Sequence, residues 1–208
     1  MQAIRAERRM ETPCPRGLST PYGVLNRTQA VELSAPGAAI GLLGGVIAGG
    51  LLAISGLSLP ITLVAAVLLA VPLALTGGAY EILLAKGKLP MGTLAGVAMV
   101  WAVAWAPIRV VHAVVVDAIA GNGIAAPNGI LSFFVYQAIV SVPFAIGFWW
   151  LHENFAPRWW FHIRNRNPVA DHFIRVQLAY AGAAEEEKAR KEQARRSKQA
   201  ERRARRSR

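Results

Sequence analysis

Pro36-Gly-Ala-Ala-Ile-Gly-Leu-Leu-Gly-Gly-Val-Ile-Ala-Gly-Gly-Leu-Leu-Ala53 holds no charged side chain. The apolar run continues to Leu57, and about 20 such residues let an α-helix cross a bilayer core of ~30 Å. Its glycines are also ordered. Gly37, Gly41, Gly45 and Gly49 recur every four residues, and Ala53 continues the row. Residues four apart share one helix face, so the stretch is three overlapping GxxxG motifs. Lipid tails are as apolar as leucine, so helices in a bilayer associate through close backbone approach, which a glycine row permits. Two partners remain open for it: another span of the same chain, or a second protein (a further copy or another membrane protein).

The rest of the chain agrees with a membrane reading. Of 208 residues 54% are hydrophobic and 17% charged, where a soluble domain carries about a quarter charged; the mean hydropathy is +0.35. The charge sits at the ends. Residues 1–35 hold five Arg against three Glu, and residues 152–208 hold fifteen Lys or Arg against seven acids. Between them stand only Glu81, Lys86, Lys88, Arg109 and Asp117. Four segments meet the length requirement for a span: 36–57, 58–80, 89–108 and 130–151. The fold class expected is an all-α integral membrane protein, with four spans arranged as two hairpins. Residues 1–35 read as a flexible, extended arm, given Pro13, Pro15, Gly17, Pro21 and Gly23 and no apolar stretch of a secretory signal. The lone Cys14 excludes an internal disulfide.

Arg109, His112 and Asp117 interrupt the valine-rich continuation of the third span. Counted from Lys88, Arg109 lies ~31 Å along a helix, at the outer interface, where its side chain snorkels to headgroups and Pro107 kinks the exit. Two other placements stay open. The three residues could line an outward-facing vestibule, or the span could slide outward and make Arg109 intramembrane. At about 100° per residue His112 and Asp117 fall on opposite sides of Arg109, which argues against one tight cluster. A shorter glycine echo, Gly92 and Gly96, starts this span.

Where the fourth span ends, Trp149, Trp150, Trp159 and Trp160 gather with Arg158, Arg164 and Arg166. Tryptophan favours the headgroup level, and the arginines suit anionic lipid of the inner leaflet. Residues 152–182 therefore read as an interfacial segment; a stacking platform for nucleic acid uses the same residue types. His152, His162 and His172 are ten apart, a spacing that matches no helical metal site. No nucleophile elbow, P-loop or dinucleotide fingerprint occurs, so the expectation is a chain without catalytic, cofactor or metal residues. From Ala183 the tail carries Glu186–Arg190, Glu187–Lys191, Glu192–Arg196 and Glu201–Arg205 in the favourable i,i+4 order, which predicts a solvated helix over 183–208. Its basic end, Arg202, Arg203, Arg205, Arg206 and Arg208, attracts an anionic partner: lipid, nucleic acid or acidic protein.

Two functional classes fit these features. One is a non-enzymatic subunit or scaffold of a membrane complex, docking through the glycine helix and the basic tail. The other is a small oligomeric channel, pore-former or transporter, weakened by the lack of a mid-depth charge. Both share a topology. The positive-inside rule puts both termini and the Glu81–Lys88 loop in the cytoplasm, so reporter fusions at Arg208 and at Gly123 should give opposite signals; equal signals would contradict four spans.

Overall fold

The computed structural model describes residues 25–54, 56–123 and 129–206, with the side chains of residues 130 and 202–206 excepted. Five helices follow in order: α1 Arg27–Ile54, α2 Leu59–Ala85, α3 Leu94–Ile119, α4 Ile130–Ile163 and α5 Pro168–Arg206. The first four are long and apolar enough to cross a membrane. Their outward side chains are of the kind that lipid covers: Leu42, Leu43, Val46 and Ile47 on α1, and Val64, Val67 and Val71 on α2, are all exposed. A water-facing surface this continuous in apolar residues is rare.

The chain divides into two compact units, Met1–Trp149 and Trp150–Arg208. In the first, α1 and α2 run antiparallel with their backbones nearly touching. A Cβ placed on Gly37 would lie 2.1 Å from the Gly77 carbonyl oxygen, one on Gly41 2.2 Å from that of Leu73, and one on Gly45 2.2 Å from Ala70 Cα. At Gly49 the obstacle is Ala66 Cβ, at 2.4 Å. The glycine row therefore faces α2 of its own chain for more than three turns. Gly77 meets Gly37 in return, so both helices give up a side chain at the closest point. Gly56, with φ of 83°, supplies the left-handed residue that the short α1–α2 turn requires.

α4 packs through bulk instead. Phe144 lies where a Gly44 side chain would be, and Phe148 sits beside Gly77. Their rings meet those of Trp101 at 4.6 and 5.0 Å, Trp105 at 4.5 Å and Tyr80 at 5.6 Å. The edge-on and tilted arrangements are the ones aromatic quadrupoles favour.

The helices overrun the apolar segments that announce them. α1 begins at Arg27, not Pro36, because Asn26 and Gln29 form a reciprocal cap: Gln29 N–H donates to Asn26 Oδ1 at 2.9 Å, and Asn26 N–H to Gln29 Oε1 at 3.3 Å. Residues 27–35, expected to belong to a flexible arm, are therefore helical; Cys14 and the prolines and glycines at 13–23 lie outside the described residues. α2 continues through Glu81, which is buried, so the polar connection starts at Lys86 and not at Glu81. Gly92 adopts a φ of 75° ahead of α3, which removes it from any helical GxxxG pair with Gly96. Pro36, Pro72 and Pro107 all lie within helices; apolar helices accommodate such prolines better than soluble ones.

The seam makes a discriminating prediction. Gly45→Leu forces a branched side chain against Ala70 backbone and should lower stability by about 3 kcal/mol or more, seen as a reduced melting temperature. Gly50, five residues on, has open space around its Cα, so Gly50→Leu should leave the melting temperature unchanged.

Candidate functional site

Near the α1–α2 turn, α1 to α4 surround a cavity of about 320 Å³. Its wall combines leucines with the polar side chains Arg109, His112, Tyr136 and Gln137, and with Trp105. α3 brings Arg109 and His112 to it because α3 does not end near Ile108. It runs on to Ile119 with Pro107 in its interior, so Arg109 stands ~22 Å from the helix start at Leu94 and ~15 Å from its end. The expected helix exit at Pro107 is therefore wrong. The count from Lys88 failed because residues 89–93 form a turn and not a first helical stretch.

Arg109 and His112 meet, and Asp117 does not join them. Arg109 Nη1 donates to His112 Nδ1 at 3.0 Å. A guanidinium has no acceptor, so Nδ1 must be the bare nitrogen and Nε2 carries the proton. His112 Nε2 then donates to the Ala65 carbonyl oxygen of α2 at 3.1 Å. The imidazole, buried, links the cation of α3 to the backbone of α2. A 60° offset between residues three apart still leaves long side chains within reach of each other. Asp117 lies two turns farther along, half-buried, and is not part of this group.

The sequence reading missed the other half of the site. Trp105 Nε1 donates to Gln137 Oε1 at 3.1 Å, tying α3 to α4 inside the protein. Gln137 and Ser141 are both buried in α4. Two polar residues four apart in an otherwise apolar span share one face, and a buried amide demands a partner; that spacing was the available signal.

The second unit redistributes the expected interfacial anchors. α4 continues without a break through Trp149, Trp150, Arg158 and Pro157 to Ile163, so residues 152–182 are the end of one helix, a turn and the start of another. Asn167 caps α5: its Oδ1 accepts from the N–H groups of Val169 and Ala170 at 3.3 and 3.4 Å, and Pro168 follows at the first helical position. Trp160 is not at a lipid-facing surface. It is fully buried against Phe173, 4.7 Å between centroids, with His152 at 5.6 Å. Trp150, Trp159, Arg158 and Arg166 are exposed, Trp149 is half-buried, and the half-buried Arg164 stacks over Phe161 at 4.0 Å.

From Leu178 to Glu201 every residue of α5 is exposed, a rod of ~36 Å. Of the expected pairs, Lys191 donates to Glu187 at 2.6 Å, and a Lys188–Glu185 pair at 3.0 Å is an i,i+3 addition. The Lys191 hydrogen bond, followed by its charge, holds the Glu187 carboxyl below its ordinary value. That contribution to helix stability is present above the ordinary carboxylate pKa and is lost as pH falls through the depressed one. α5 is helical through Arg202, Arg203, Arg205 and Arg206; Arg208 lies outside the described residues. Among the described residues, no three His, Cys, Asp or Glu side chains converge on a metal site.

The Trp105–Gln137 bond can be weighed directly. Gln137→Leu leaves the indole N–H without its acceptor and should cost about 1–3 kcal/mol. Combining it with Trp105→Phe, which removes the donor too, should cost less than the sum of the single changes by thermal melting.

Compared with protein-family models, characterised proteins and solved structures, the chain matches none, so the chemistry of these side chains carries the functional argument alone.

Proposed function

We propose that the chain is a non-enzymatic, multi-spanning subunit or scaffold of a membrane complex, with four spans in two hairpins and both termini in the cytoplasm. The observation that carries this is the rod from Leu178 to Glu201, exposed on every side and dense in charge. A helix without an apolar stripe has nothing to fold onto and nothing to insert into lipid. What remains for it is recognition along its length or at its basic end. Docking shifts accordingly. The glycine row of α1 is covered by α2, so a membrane partner would meet the leucine-rich lipid side of the bundle, while a cytoplasmic anionic partner meets α5. The basic residues flanking the spans favour a cytoplasmic location for this helix.

A second reading, a small transporter or channel, gains from the cavity. Arg109 lies well inside α3 and lines an internal space, and ionisable residues in such positions commonly mark solute pathways.

Deleting residues 202–208 should reduce binding to vesicles of anionic lipid, or abolish recovery of a cytoplasmic partner from mild detergent, with a steep salt dependence for the intact chain. Unchanged binding and unchanged recovery at low salt would reduce the tail to a solubilising extension.

A further inference from the structure

We propose that the cavity between α1, α2, α3 and α4 binds a small organic anion: an oxyanion, best a carboxylate, held by Arg109 and Gln137, with a short apolar body against the leucines. The inference uses the same cavity as the transport reading but concerns binding, whether or not the ligand crosses the membrane.

The cavity wall has already used part of its hydrogen-bonding capacity. Two of its acceptors are engaged internally. His112 Nδ1 accepts from Arg109, and Gln137 Oε1 accepts from Trp105 Nε1. The amide orientation is fixed because an indole N–H can only donate. What the lining residues have left are the remaining N–H groups of Arg109 and the amide N–H₂ of Gln137, both donors, and the Tyr136 hydroxyl, which donates or accepts. A wall with these donors and one fixed cation suits an oxyanion and disfavours an ammonium.

Charge points the same way. Among the described residues no carboxylate pairs with Arg109; its one hydrogen-bond partner is neutral His112. The nearest acid along α3, Asp117, stands eight residues on. A half-buried cation beside leucines and aromatic rings is costly unless a counter-charge reaches it. Its position is nonetheless fixed, since the His112 imidazole is braced on the Ala65 carbonyl. A preorganised, unneutralised guanidinium is what a bidentate carboxylate needs.

Size and lining set the rest of the ligand. About 320 Å³ is at the small end of ligand pockets, which suits a small ligand. Leu51, Leu52, Leu69 and Val140 supply much of the remaining lining, which suits an apolar body. Such a carboxylate has two sources: an acyl chain dissolved in the membrane, or a small acid from water.

Equilibrium dialysis of the full chain in lipid nanodiscs against labelled laurate and labelled benzoate separates these sources, with benzylamine as the cationic control. Saturable binding of laurate alone assigns a membrane source, and of benzoate alone a soluble one; benzylamine should not bind. Arg109→Gln should weaken the bound probe by about tenfold or more, while Arg175→Gln, which removes an exposed cation elsewhere, should not. Ala48→Phe fills the cavity with the charge retained and should also abolish binding, which keeps the test decisive if Arg109→Gln folds poorly. Absence of saturable binding by either acid, or equal affinity in wild type and both cavity variants, would overturn the proposal. Binding without flux in sealed vesicles would remove the transport reading alone. Flux of another solute without acid binding would remove the site alone.

Discussion

The near-contact of two backbones, α1 on α2, is the constraint from which the first unit follows. In lipid, burying apolar surface yields no gain from water, and helices hold together through packing and polar contacts. Glycines 37, 41, 45 and 49 convert that rule into a geometry, because any side chain there would occupy the space of α2 backbone or of Ala66 and Ala70. The seam runs for more than three turns. With α1 and α2 joined by a turn at Gly56, the pair forms a wall against which the larger side chains of α3 and α4 are arranged.

The two halves of the unit solve packing differently, and the cavity lies where the solutions meet. α1 and α2 approach by deleting side chains. α3 and α4 keep theirs, and Trp101, Trp105, Phe144 and Phe148 fill the intervening space. Toward the α1–α2 turn this aromatic filling stops at Trp105, and polar groups take over. Trp105 binds Gln137, and Arg109 binds His112, which binds α2. The Trp105–Gln137 and His112–Ala65 bonds cross between helices, so each fixes a relative position, and the Arg109–His112 bond holds the cation on the second of them. A fixed cation beside a hole is the consequence.

Much of this was legible in the sequence, and the failures share a cause. Apolar composition revealed four membrane-compatible helices, and the four-residue period of glycine revealed a close contact, but not whose backbone would be met. Only distances can decide between a neighbour in the chain and another molecule. Boundaries went wrong wherever apolar length stood in for helical length: Asn26 and Gln29 begin α1 among polar residues, and Glu81 continues α2 past the charge that appeared to end it. The same substitution displaced Arg109, since a span started at Leu89 places it at an end, whereas a helix started at Leu94 and continued past Pro107 places it within. Gln137 and Ser141 went unread because two polar residues do little to the hydropathy of a long span. Trp160 matched its neighbours in type and differed only in burial, which a sequence does not carry without the α4–α5 turn.

The central claim is that α1 and α2 of one chain are seamed along the glycine face, and a cysteine pair tests it most directly. A Cβ on Gly78 would lie 3.7 Å from Ala38 Cβ, inside the range that a disulfide spans. With Cys14 replaced by serine, Ala38→Cys and Gly78→Cys together should oxidise in the membrane to a bond within single chains, independent of protein density in the bilayer. Failure to form it, or formation only between chains, would contradict the seam on which the remainder of the structure depends.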